Sequence, residues 1–191
     1  MDNLPSLHQR ALESTGRFLA RVEDDAWHSP TPCDPWDVRT LANHIVSGNW
    51  WVHELGSGHT IEEVGSRLDG DLLGDDPVIA YEKSAAAAAA AFSGPDAMAA
   101  MFAVSYGPVP GKVYARHRFI DVLVHGWDIA AATGQDDLLD PDLVQACWAM
   151  VEARPQMRSQ WGFAPIEIPA AGDLQTRLLA FVGRPAPWRG P

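Results

Sequence analysis

The chain has 191 residues, 47% of them apolar and 20% charged, a balance that supports a buried core in one domain over residues 1–191. A formal net charge of -11 repels phosphate backbones and anionic lipid, and no Lys/Arg cluster offers a local exception, so no nucleic-acid partner is expected. No run of 18 apolar residues occurs, which predicts no membrane span. The start MDNLPSLHQR lacks the basic and apolar regions of a signal peptide, so the expected address is cytoplasmic.

Residues 4–22 carry Leu4, Leu7, Ala11, Phe18 and Val22 at helical spacing, predicting an amphipathic helix. Pro30, Pro32 and Pro35 follow as a stiff connector. Within it Cys33, like Cys147, reads as a free thiol, a small buried residue before it is a ligand or nucleophile. Asp34 before Pro35 reads as N-cap and first helical position, with Asp37 in the first turn. The helix predicted there, about residues 35–53, carries Val38, Leu41, Ala42, Ile45 and Val46 on one side. Residues 56–76 hold five glycines and four aspartates, predicting a loop with at most one short helix.

The stretch 77–93 contains SAAAAAAAF, where alanine favours a closely packed helix. SYGPVPG at 105–111 predicts a rigid turn without regular structure. A long helix over about 112–133 ends near Gly134, and Asp140–Pro141 opens another through about residue 153. The tail predicts an extended patch at 164–170 and a short helix over 172–182 closed by Gly183. Sizeable helices with almost no strand pattern predict an all-α bundle.

The helix at 112–133 is where chemistry concentrates. With Asp121 at zero on a wheel, His117 falls near -40°, Asp128 near -20°, Tyr114 near +20°, His125 near +40° and Arg118 near +60°, a stripe roughly 100° wide. A solvent face is the plain reading of such a stripe. Its composition argues otherwise, because residues 113–133 contain neither Lys nor Glu and the stripe holds types that coordinate metals and move protons. Asp121 and His125, four apart, project together and suit two ligands of one ion. A carboxylate with imidazole suits zinc first, with nickel, iron or manganese as alternatives. His44, at the polar edge of its helix, is the candidate third ligand, and Gly48 beside it would let a second helix approach. His117 is a candidate for proton transfer or a pocket wall. Asp128, three after His125, could orient that imidazole or handle protons. No Gly-rich phosphate loop, Cys-pair zinc knuckle or Gly-x-Ser-x-Gly elbow occurs.

PTPCDPWDVRTLANHIVSGN resembles the second-helix signature of the DinB-like metal-binding superfamily. The resemblance is strongest to the branch related to the N-terminal domain of mycothiol-dependent maleylpyruvate isomerase. It continues through SYGPVPGKVYARHRFIDVLVHGWDIAAATG and LLAFVGRPAPW, covering nearly the whole chain in order. The resemblance implies a DinB-like four-helix bundle with short additional helices and an extended C-terminal segment. It also implies a metal held by His44, Asp121 and His125. The isomerase pattern has Glu where this chain has Asp121, and the isomerase carries a further C-terminal domain, so ring-cleavage isomerisation itself is not expected. The function implied is a metalloenzyme using mycothiol as cosubstrate for S-transfer or isomerisation of a small electrophile, with a homodimer as an allowed assembly. The alternatives are a non-catalytic metal-binding protein and a metal-dependent hydrolase.

Overall fold

The computed structural model describes residues 3–156, 158 and 166–190. Helix α1 (Leu4–Leu19) begins where the Asn3 side chain accepts Ser6 N–H at 3.0 Å. Its stripe of Leu7, Ala11, Leu12, Phe18 and Leu19 is buried. Helix α2 (Val38–Gly56) starts later than the sequence predicts, because Asp37 and not Asp34 is the N-cap. Asp37 Oδ1 accepts Thr40 N–H at 2.8 Å. The connector before it is tied into its own turn: the Thr31 hydroxyl donates to Trp36 O at 2.8 Å, and Trp36 N–H to Cys33 O at 2.9 Å. Those bonds hold residues 31–36 outside the helix.

The glycine-rich loop contains one short helix, α3 (Ile61–Val64), and α4 (Pro77–Ser93) is the alanine-rich helix. The segment expected to lack regular structure instead closes a hairpin of β1 (Met101–Val104) and β2 (Gly107–Pro110). Two prolines are tolerated there because Val109 and Gly107 face Phe102 and Val104, while Pro108 and Pro110 take the alternate positions. Gly111 N–H continues the inward series by donating to Ala100 O at 2.8 Å. The prolines therefore fall on the open edge, where their missing N–H groups break no ladder bond. Helix α5 (Gly111–Ala132) follows, then α6 (Pro141–Glu152) and α7 (Leu174–Phe181). Of the expected extended patch, residues 164 and 165 lie outside the described residues, and residues 166–169 carry no helix or strand.

Helix α1 packs on α5 and α4, and α2 packs on α4 and α5, so four long helices close a ring around one core. Helices α6 and α7 pair with each other, and α6 also touches α1 and α5. This is the DinB-like bundle. At the tightest crossing of α1 and α5, a Cβ on Gly126 would lie 2.3 Å from Thr15 Oγ1. Only glycine permits that approach, which lets the Thr15 hydroxyl donate to Val122 O at 2.9 Å. Among the described residues no helix is long and apolar enough to cross a membrane.

Helix α5 is buried around most of its circumference from Arg118 to Ala130, with Asp121 half-buried. Phe119, Ile120, Val122, Leu123, Trp127 and Ile129 are buried, and so are Tyr114, Arg118, His125 and Asp128 from its polar stripe. The solvent-face reading of that stripe is overturned, because α1, α2, α6 and the hairpin all contact this helix.

A second buried histidine, His8 on α1, meets Phe92 edge to face at 5.1 Å, and neither ring nitrogen has a hydrogen-bond partner. Burial, and then the Arg118 charge, lower its pKa to about 3, with Asp121 opposing. The unfolded chain therefore takes up this proton first as pH falls. His8 contributes its full stability above the unfolded value near 6.5 and loses it progressively toward pH 3. Unfolding free energies from urea titrations at pH 7, 6 and 5 should fall more steeply for the wild type than for His8→Leu, by about 1 kcal/mol per pH unit. Equal slopes would show that His8 titrates normally in the folded protein.

Candidate functional site

His44 stands on α2, and Asp121 and His125 stand one turn apart on α5. His44 Nε2 and His125 Nε2 each lie 3.4 Å from Asp121 Oδ1. Their rings meet edge to face at 5.1 Å, and one donor atom from each of the three residues lies within 4.8 Å of the other two. Contacts of 3.4 Å are long for a hydrogen bond. They match the roughly 3.4 Å spacing of ligands set about 2.0–2.1 Å from a tetrahedral ion. The donor set thus fits a divalent transition metal, and the three residues the sequence proposed as ligands come together.

Arg118 grips the far side of Asp121. Its Nη1 donates to Asp121 Oδ2 at 2.7 Å, and its Nη2 to Asn49 Oδ1 at 3.2 Å and Ile45 O at 3.4 Å. Gly48 makes this possible, since a Cβ there would lie 2.3 Å from Arg118 Nη1. The gap at Gly48 is where a second helix, α5, approaches α2, and it admits that helix's Arg118 guanidinium. Burial opposes the charge on Asp121, but Arg118 and then His125 hold its carboxyl well below the usual range. It stays an anion, ready to ligate.

Behind His125 sits a second carboxylate. Asp128 is wholly buried, and its Oδ2 lies 2.9 Å from His125 Nδ1. Arg184 clamps it from the tail, with Nε 3.0 Å from Oδ1 and Nη2 2.8 Å from Oδ2. This fixes the ring with Nε2 toward Asp121 and His44. Burial disfavours a charge on His125, yet Asp121 and Asp128 raise its pKa to about 9. Ion uptake would displace that proton.

Cys33, His125 and Asp128 form a second group with donor atoms within 4.8 Å of one another. Asp128 is already committed to Arg184 and His125, and burial pushes the Cys33 thiol up. Among the described residues, the donors of the His44 group have no partner nearer than 3.4 Å on their facing side, which leaves them freer to take an ion. Trp36 walls it, with its ring 4.8 Å from His44 and 6.2 Å from His125.

A cleft of about 480 Å³ opens beside His44, between α2, α3, the hairpin and the first turns of α5, with Arg118 also among its lining residues. Tyr106, at the hairpin tip, lines it and places its hydroxyl 2.7 Å from His117 Nδ1. Burial, with Arg116 and Arg154 adding to it, lowers the His117 pKa, which favours the neutral ring beside the Tyr106 hydroxyl. His117 thus stands behind the cleft wall and reaches the cleft through Tyr106. Sequence reasoning missed Arg184, Asn49, Trp36 and Tyr106. The only local signal for Arg184 was an arginine directly after the glycine that closes α7.

The buried pair at Asp128 makes a direct stability test. Arg184→Met should leave Asp128 paired with His125 alone and cost on the order of 3 kcal/mol in urea unfolding. The double variant Arg184→Met with Asp128→Asn should recover most of that loss. Additive losses would show that the two side chains are not coupled.

The family model described as the mycothiol maleylpyruvate isomerase N-terminal domain matches residues 8–130. Two uncharacterized proteins of Mycobacterium tuberculosis, from strains CDC 1551 / Oshkosh and ATCC 25618 / H37Rv, are each 38% identical over 181 residues. Each alignment covers 93% of this chain and 95% of the relative. No solved structure matches. With the match spanning α1, α2, α4 and α5 and every residue of the His44 cluster, the chain belongs to the family of the mycothiol maleylpyruvate isomerase N-terminal domain.

Proposed function

We propose that this protein is a thiol-dependent metalloenzyme, in which His44, Asp121 and His125 hold one divalent ion and a low-molecular-weight thiol attacks a small electrophile. The observation that carries the reading is the convergence of these three donors beside an open cleft. Three protein ligands leave a coordination position free, the pattern of catalytic and not structural zinc sites. The ion, where bound, supplies a Lewis-acid position that favours the thiolate over the thiol at neutral pH. Family membership supports mycothiol as that thiol, and zinc is the ion of choice for this donor set.

The surrounding residues support an anionic nucleophile. Arg118 neutralises Asp121 and Arg184 neutralises Asp128, so neither carboxylate cancels the charge of the ion. Asp128 is a positioning residue, shut away from the cleft, that holds the His125 ring. Tyr106, backed by neutral His117, is placed to exchange a proton with a molecule in the cleft.

Protein purified without chelator should carry about one equivalent of transition metal per chain by elemental analysis. His44→Ala and His125→Ala should each abolish tight binding, Asp121→Asn should weaken it, and His117→Ala should leave the stoichiometry intact. Retention of metal by His44→Ala with loss in His117→Ala would place the ion one turn away, between His117 and Asp121.

The cobalt-substituted protein should develop a sulfur-to-cobalt charge-transfer band on adding mycothiol, saturably and with the metal retained. A spectrum unchanged at millimolar thiol, together with turnover of ester or amide substrates, would make water the nucleophile and the protein a hydrolase.

A further inference from the structure

The cleft beside His44 has a composition that says what it can accept. Its apolar walls are Trp51, Leu55, Ile61, Val104 and Tyr114. Ile61 and Tyr106, at the mouth, remain 37% and 61% exposed, although most large apolar side chains of the bundle are buried. Apolar groups left open around a concavity mark a binding site for an apolar body. A larger groove, about 580 Å³ between α1 and α4, shares no lining residue with the metal-ligand cluster.

Charge inside the cleft is scarce and already spent. Arg118 is the single Lys or Arg side chain among the described lining residues. Its side chain is 8% exposed, and its Nη atoms serve Asp121, Asn49 and Ile45 O. Away from the ion proposed at the cluster, a carboxylate entering the cleft would lose its hydration and meet no unneutralised cation to replace it. A dicarboxylate would incur that cost at its second carboxylate even where the first reached the ion, within a chain of net charge -11.

We propose that this cleft takes an uncharged, flat apolar molecule carrying a single carbonyl-type acceptor, and that it discriminates against dicarboxylates such as the substrate for which the family is named. The proposal supplies the substrate class for the activity proposed above and rests on that reading. The apolar body lies between Trp51, Leu55 and Ile61, and the acceptor end points to the side of the cleft formed by His44 and Arg118. This orientation delivers the electrophilic carbon to the cluster without burying a charge.

The test is fluorescence titration of the full chain, as purified and with its metal content measured, with the uncharged probe N-phenyl-1-naphthylamine. Saturable binding with one site per chain is expected. At matched ionic strength, 2-acetylnaphthalene should displace the probe about tenfold or more better than maleate. Ile61→Glu, which sets a charge at the mouth, should weaken probe binding about tenfold. Leu138→Glu, at an exposed leucine outside the cleft, should leave it unchanged. Absence of saturable binding, equal effects of the two variants, or displacement by maleate matching the ketone overturns the proposal. Should Ile61→Glu fail to fold, the wild-type competition decides alone. Probe binding by a protein that neither carries nor takes up metal would sink the proposed activity and leave the cleft assignment standing. A metal-loaded protein that prefers maleate would do the reverse.

Discussion

A helix packed against protein over most of its circumference must find counter-charges for the ionic groups it buries, and α5 carries five polar side chains from Tyr114 to Asp128 that are largely withdrawn from water. An unpaired buried charge would cost several kcal/mol, comparable with a typical domain's whole margin of stability. The surroundings of α5 are arranged around that demand. Glycine at position 48 makes room for Arg118, Asn49 accepts from it, and the tail after α7 returns so that Arg184 reaches Asp128. The bundle's ring of helices and its C-terminal return are thus linked through one set of ion pairs.

The same pairing sets the charge at the cluster. Asp121 and Asp128 bring two negative charges, and Arg118 and Arg184 bring two positive ones, so these four sum to zero. His125 lies between the two carboxylates, with one ring nitrogen toward each. Without an ion it keeps a proton, and with one it gives that proton up. A divalent ion in such a frame retains its full charge, which a thiolate reduces and a neutral ligand does not. The shorter acid at 121, where the isomerase pattern has Glu, keeps the carboxylate close to α5 and within reach of Arg118 on the preceding turn.

Periodicity made the long helices legible, because Leu7, Ala11 and Phe18 on α1 and Val38, Leu41, Ile45 on α2 follow the helical repeat into the core. The hairpin was hidden, since Pro108 and Pro110 read as breakers until their edge positions are known. The start of α2 was misplaced for a related reason: Asp34–Pro35 carries a start signal, and only the fold of the connector shows that Asp37 is the cap. The polar stripe on α5 could be read locally, and residue types pointed to metal chemistry. Whether it met water or protein depended on contacts with other helices. Arg184 and Asp128 stand 56 residues apart, and no local pattern announces a pair at that separation.

Among the described residues, the cluster opens most plainly toward the cleft. On the tail side Asp128, Arg184 and Trp36 close it, and Asp128 has no exposed surface at all. On the other side His44 and Arg118 border the cleft under the hairpin. The closed side fixes ring orientation and holds charge, functions that need rigidity. The open side carries Tyr106, more than half exposed at a turn between two short strands, where side chains can adjust to an entering molecule. Substitutions on the two sides should therefore differ in kind. On the proposed reading, a change at Asp128 or Arg184 would act on the fold and on every ligand alike, whereas a change at Ile61 or Tyr106 would alter which molecule enters. Divergence of substrate within such a frame needs only the second kind, because the hairpin and α3 can vary without disturbing any of the four ion-paired residues around α5.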